Sequence, residues 1–215
     1  MITMKKSKKI CLFSDTHGLH NDVIIPECDI LIFAGDFDIH SLLDIERANK
    51  WFGQQNAKHV IFCAGNHDVL LSRVNLISKK CLFSNAIYLE NEMIEIEGLK
   101  IYGSPYTPFF NNWSFMYQRN SLEAKNIWSK IPENLDFLVT HGPSRGILDR
   151  NLQDERCGCS VLSREIYKKR PKRHIHGHIH RFGGKSITQD NIDFYNVSVL
   201  NEDYKIANKP TIIDI

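Results

Sequence analysis

Seven residues able to bind a cation recur in five short blocks of the chain. The blocks are Asp15-Thr16-His17, Gly35-Asp36, Gly65-Asn66-His67-Asp68, Thr140-His141-Gly142 and Gly177-His178-Ile179-His180. Asp15, His17, Asp36, Asn66, His141, His178 and His180 together offer carboxylate, imidazole and amide oxygen. Such a mixed oxygen and nitrogen set suits Mn, Fe or Zn better than Ca or Mg alone, and it lacks the thiolates of a structural zinc site. Seven ligands are too many for one ion and enough for two if one carboxylate bridges.

Each block follows a short apolar run, namely Ile10–Phe13, Ile30–Ala34, Val60–Ala64, Phe137–Val139 and the stretch ending at His174–His176. Runs of that length, rich in Ile, Val, Leu and Phe, predict buried strands. In a parallel sheet the carboxyl ends share one edge, where ligand sites form, so groups distant in sequence converge there. The spacing of two in Asp15/His17 and His178/His180 predicts side chains on one side of an extended segment. Glycine at 35, 65, 142 and 177 permits tight turns and close backbone approach.

The intervening segments Leu42–Gln55, Ser121–Lys130 and Ser160–Lys169 have helical spacing, with Leu43, Ala48, Trp51 and Phe52 marking the first. Met93–Ile96 and Leu99–Tyr102 predict a hairpin around Gly98, and Asp193–Val199 and Thr211–Ile213 two later strands. With no repeat and no Gly/Ser/Pro linker, residues 1–215 are expected to form one domain, with residues 1–9 a flexible basic start.

The order D-x-H, G-D, G-N-H-D, T-H-G, G-H-x-H resembles the calcineurin-like metallophosphoesterases. The likeness runs on through Ile101-Tyr102-Gly103-Ser104-Pro105-Tyr106-Thr107-Pro108, Thr140-His141-Gly142-Pro143 and the ending Asn208–Ile215, and spans about Lys9 to Ile215. Those stretches look like the metallophosphoesterase-domain branch, itself similar to class III cyclic-nucleotide phosphodiesterases. The resemblance implies a four-layer α/β/β/α sandwich of the α/β class, with a dinuclear metal centre at the strand ends. It implies that Asp15, His17 and His180 hold one metal, that Asn66, His141 and His178 hold the other, and that Asp36 bridges. Some members of the branch carry Gly in place of His178; here the His is present, so both sites are expected to fill, with Mn favoured. His67 would serve the leaving group as a catalytic acid, oriented by Asp68, while a hydroxide activated by the two ions attacks phosphorus.

Other residues carry weaker signals. His20, Tyr106 and Asn111 are candidate substrate contacts, Tyr106 within an aromatic loop with Phe109, Phe110 and Trp113. Asp38 follows Asp36 at spacing two and fits either the site or a helix N-terminus. His176, alternating with His174 and His178, reads as structural. The run Lys168–Arg173 reads as a solvated helix end before Pro171. Cys157-Gly158-Cys159 lacks the two-to-four spacing of zinc knuckles.

Twenty-seven Lys and Arg against 25 Asp and Glu leave a net charge of +2, too balanced for a protein that coats nucleic acid. Only four apolar residues follow the basic start, against roughly 7–15 in a secretory signal and about 20 in a spanning helix. No membrane partner and a cytoplasmic location are therefore expected. The expected partner is a small phosphoester, with a homodimer left open. The ligand blocks contain no arginine to grip a dianionic monoester, which favours a phosphodiesterase over a phosphomonoesterase or protein phosphatase, and the near-neutral charge counts against a nuclease; a non-catalytic binding scaffold is the remaining alternative.

Overall fold

The computed structural model describes residues 7–215. Two sheets form its centre. The first contains β1 (Lys9–Phe13), β2 (Cys28–Ala34), β3 (Ala57–Cys63) and β4 (Ile87–Tyr88), all parallel, with β13 (Thr211–Asp214) antiparallel on the β1 edge. The second contains β5 (Glu92–Ile96), β6 (Leu99–Ser104), β9 (Phe137–Thr140), β10 (Arg173–His176), β11 (Lys185–Gln189) and β12 (Ile192–Asn196). Its order is β11-β12-β10-β9-β6-β5, with the four inner strands parallel. A two-residue pair, β7 (Thr107–Pro108) with β8 (Met116–Tyr117), stands apart from both.

Three apolar layers explain the stacking. Ile10, Leu12, Ile30, Ile32 and Ile61 from the first sheet meet Ile101, Phe137, Val139 and Ile175 from the second in a buried apolar seam. The opposite faces of β1, β2 and β3 pack Phe13, Leu31, Phe33 and Phe62 against Ile45, Ala48 and Phe52 of α1 (Leu42–Gly53), near α2 (Leu76–Leu82). Tyr102, Leu138 and Phe194 pack against Ala124, Ile127 and Trp128 of α3 (Leu122–Trp128) and Leu162 and Ile166 of α4 (Ser160–Lys169). Strands buried on both faces must be apolar throughout, which is why the runs are continuous rather than alternating. The result is the expected four-layer α/β/β/α sandwich.

Local sequence fixes the helix starts. Ser41 and Asp44 form a reciprocal capping box on α1, and Ser121 caps α3 through the Ala124 N–H. The Lys168–Arg173 run ends α4, with Arg170 in the left-handed region at the cap and Lys172 paired with Asp136 at 2.8 Å. At the N-terminus, Lys9 opens β1 and the Lys8 N–H reaches the Ile215 carbonyl, so these residues belong to the sheet. The rest of the anticipated flexible start, residues 1–6, lies outside the described residues. Among the described residues, no helix is long and apolar enough to cross a membrane.

Candidate metal centre

The carboxyl ends of β1, β2, β3, β9 and β10 meet at one edge, where backbone hydrogen bonds bind the two sheets together. The Ser14 N–H donates to the Val197 carbonyl and the Val199 N–H to the Ser14 carbonyl. On that edge, Asp15, His17 and His180 present ligand atoms all within 4.8 Å of one another, and Asp36, His141 and His178 do the same. Asp36 connects the groups: its Oδ2 lies 3.5 Å from His17 Nε2 and 3.2 Å from His141 Nε2. Asn66 Oδ1 is 2.9 Å from His141 Nε2.

The backbone that achieves this is not extended. Asp15 (φ 55°), His17 (φ 41°), Asp36 (φ 64°), Asp38 (φ 77°) and His178 (φ 67°) all lie in the left-handed region. The spacing of two therefore works through tight turns after each strand, not through strand alternation. Asp and His tolerate that region better than most residues, yet each still costs on the order of 1 kcal/mol or more, and such strain concentrates at functional sites. Close approach explains two of the glycines: a Cβ on Gly177 would overlap Asp15 and Ser14, and one on Gly65 would overlap Asp36.

Electrostatics test whether cations fit. Asp15 and Asp36 are 0% and 2% exposed, and their charged partners within 4 Å are imidazoles. Burial alone would push both carboxyls up. For Asp15 the His180 hydrogen bond and the nearby imidazole charges outweigh it; for Asp36 the His141 charge and hydrogen bond do, and both carboxyls sit well below the usual range. Burial would likewise push His17 and His141 down, but Asp38 and Asp36 beside the first raise it to about 8, and Asp36 beside the second raises it to about 9. The site thus draws positive charge onto its own imidazoles, as buried carboxylates require. His17 Nε2 is buried without a hydrogen bond. Divalent cations match this donor set and its excess negative charge.

One expectation is corrected. Asp68 does not orient His67. It is fully buried and accepts hydrogen bonds from the backbone N–H groups of Asp36 (3.1 Å), Phe37 (3.0 Å), Ile39 (3.2 Å) and Gly65 (2.8 Å), so it ties the β2 and β3 turns together. Asp38 takes the place expected for it: its Oδ1 lies 3.4 Å from His67 Nδ1 and 3.2 Å from His17 Nδ1. Spacing in sequence favoured the adjacent residue, whereas the left-handed turn at Asp38 delivers its carboxylate from the neighbouring strand end.

The proposed substrate contacts divide. A cavity of about 770 Å³ opens over His17, Asp36, Asn66, His67, His178 and His180, and Asn111 lines it. His20 and Tyr106 are not on its wall. His20 stacks on Phe37 at 4.1 Å between ring centroids, joining the core under α1, and Tyr106 meets Phe115 edge to face. Both are aromatic rings drawn into apolar layers. Of the same loop, Trp113 stacks on His67 at 3.9 Å and Phe110 packs edge-on to His178 at 5.0 Å. His174 and His176 are buried and belong to neither His/Asp group, His174 hydrogen-bonded to Thr140 at 2.8 Å. All six cysteines are free, and Cys159 caps α4.

Other wall residues carried no motif: Arg119, Arg145, Arg156, Asn151 and Tyr204. The one available signal was length. The segment from Ser144 to Cys159 joins β9 to α4 with no regular element, and long connections of that kind are commonly functional.

This constellation, two His/Asp groups joined through one buried carboxylate at paired sheet edges, coincides with a match to the calcineurin-like phosphoesterase family over residues 8–182. The chain belongs to that family. It is similar to human Metallophosphoesterase domain-containing protein 1, with 32% identity covering 96% of this chain and 70% of that protein. The fold is shared with Phosphopantetheinyl Hydrolase from Mycobacterium tuberculosis (TM-score 0.63, 15% identity, 91% of this chain and 90% of that one). It is shared equally with the protein TT1561 of Thermus thermophilus (TM-score 0.62, 10% identity, 97% and 98%). As a calcineurin-like phosphoesterase, the chain is a metal-dependent hydrolase of phosphoric esters, with divalent cations as its cofactors.

Proposed function

We propose that this phosphoesterase hydrolyses phosphodiesters of small nucleotides, cyclic nucleotides among them. Two divalent cations, Mn favoured, would be held by Asp15, His17, Asp36, Asn66, His141, His178 and His180. The observation that carries the reading is the position of Asp36, within reach of His17 on one side and His141 on the other. Two cations so held act as Lewis acids toward phosphoryl oxygens and lower the pKa of water toward neutrality.

The chain's own residues do the rest. Asp38 holds His67 through Nδ1 and Trp113 covers one face of the ring. Fixed in this way, the imidazole can deliver a proton to the departing oxygen, a contribution of roughly 10²–10⁴-fold in comparable enzymes. The cavity is larger than one phosphate requires, leaving room for both arms of a diester. Against this, Arg145 on the cavity wall favours a phosphomonoesterase as the second reading.

Mn²⁺-loaded protein should hydrolyse bis(p-nitrophenyl) phosphate with a kcat/KM at least about tenfold above that for p-nitrophenyl phosphate. The opposite order would make the enzyme a monoesterase. No turnover of either ester with Mn²⁺, Fe²⁺ or Zn²⁺ would end the catalytic reading.

A further inference from the structure

Beside the main cavity lies a side notch of about 230 Å³, lined by Arg119, Asn120, Arg145, Cys159 and Ser160. Arg119 and Arg145 face both spaces. We infer that this notch binds a second phosphate group of the substrate between the guanidinium groups of Arg119 and Arg145, so that the preferred ester carries a phosphate besides the scissile one. The inference rests on the phosphoesterase reading of the adjoining centre and narrows its substrate class.

Uncompensated charge is the first observation. Arg119 donates to the Gly158 carbonyl at 2.9 Å and the Cys157 carbonyl at 2.8 Å, which aim its guanidinium without neutralising it. Arg145 makes no ion pair and no side-chain hydrogen bond among the described residues. Arg156, by contrast, is paired with Asp149 at 2.8 Å. Two arginines left without a carboxylate in a protein of near-zero net charge are a local positive field.

The second observation is where carboxylates are missing. The main cavity carries Glu155 and Glu202 on its wall, whereas the notch carries no acidic residue. Asn120 and Ser160, hydrogen-bonded to each other at 2.8 Å, supply the remaining polar lining. Guanidinium groups bind phosphate through paired N–H donors, which a lone surface cation does not reproduce. None of the metal-centre residues lines the notch, so an anion there is distinct from one at the metals.

The backbone placement is fixed by the chain. The Arg145 N–H donates to the Cys159 carbonyl at 3.0 Å, and the Cys159 N–H to the Pro143 carbonyl at 3.0 Å, so the two ends of the β9–α4 connection are clamped side by side. Arg119 then staples the Cys157–Gly158 stretch from the β8–α3 side. The backbone walls of the notch and the Arg119 guanidinium are therefore held in place before binding, a condition that lowers the ordering cost.

Calorimetry on the Mn²⁺-loaded protein tests this with thymidine 3′,5′-bisphosphate and thymidine 5′-monophosphate, which differ by one phosphate. The wild type should bind the bisphosphate at least about tenfold more tightly. Arg145→Ala, at an exposed side chain, should bring that ratio close to one, and Arg145→Lys should restore only part of it because the charge returns without the fork. Arg119→Ala should act in the same direction. A wild-type ratio near one overturns the inference. So does an equal loss for both ligands in Arg145→Ala, which would mean that this arginine grips the phosphate at the metals. The measurement needs no turnover: a protein that cleaves the nitrophenyl diester yet shows a ratio near one loses only the second phosphate site, and failed turnover with the ratio intact loses only the diesterase reading.

Discussion

Asp36, His67, Asp38 and Asp68 stand within a few residues of one another in two strand-end turns, yet the structure gives them separate tasks, and substitution separates them. Asp36→Ala removes the carboxylate shared by both ligand groups; atomic absorption should show loss of bound metal, and turnover should vanish with it. His67→Ala should keep its metal and lose roughly 10²–10⁴-fold in kcat. Asp38→Asn should fall between, since it loosens His67 while leaving the imidazole in place; turnover equal to wild type would remove Asp38 from that task. Asp68→Ala belongs to a different class. It strands four backbone N–H donors in a fully buried turn, each worth about 1–3 kcal/mol unless water replaces the carboxylate, so the urea midpoint should drop sharply. An unchanged midpoint together with lost turnover would return Asp68 to the chemistry.

At the scale of elements, the strands that carry the ligands were legible because burial on both faces forces continuous apolar runs, and because each run ends where a ligand must stand. β1, β2, β3 and β9 were readable in this way, β10 (Arg-His-Ile-His) only weakly, and α1, α3 and α4 were readable from their spacing. α2 and β11 were not. β11 (Lys-Ser-Ile-Thr-Gln) is exposed along its whole length and is held by pairing with β12, so it has no core face to leave a pattern. The turns after the strands were misjudged for a related reason: a left-handed residue is set by long-range packing, and Asp15 or His178 looks the same in sequence whether φ is positive or negative. The arginine wall could not be assembled from sequence because its members come from two irregular connections. What the glycines do at these turns can be checked directly. Gly177→Ala would drive a methyl group into Asp15 and Ser14, so metal affinity should fall at least about tenfold, the magnitude seen when groups supporting metal ligands are disturbed, while the far-ultraviolet circular dichroism stays that of the wild type.

Over the whole molecule, buried imidazoles of opposite tendency divide the pH axis. In the second sheet, burial and the neighbouring His176 hold His174 well below the usual range, and burial pushes His176 down to about 4. Both are neutral in the folded chain at about pH 6, whereas the unfolded chain protonates them near pH 6.5. The unfolded state then binds more protons, so stability must fall as pH drops from about 6.5 toward 4, by up to about 1.4 kcal/mol per pH unit for each imidazole. His17 and His141, raised to about 8 and about 9, work in the other direction: in metal-free protein they contribute fully below about pH 6.5, and that contribution is lost as pH rises through 8 and 9. The two windows do not overlap, but burial also pushes His178 down to about 3, so the acid limb sums several groups and a single substitution is needed to single out His174. His174→Gln can keep the hydrogen bond to Thr140 without a titrating ring. Urea unfolding of the metal-free protein at intervals from about pH 7 to 4.5 should therefore show a shallower loss of stability in this variant, by up to one proton's slope. A variant whose acid limb runs parallel to that of the wild type would show that His174 takes up its proton in the folded protein after all, and that the seam between β9 and β10 admits water.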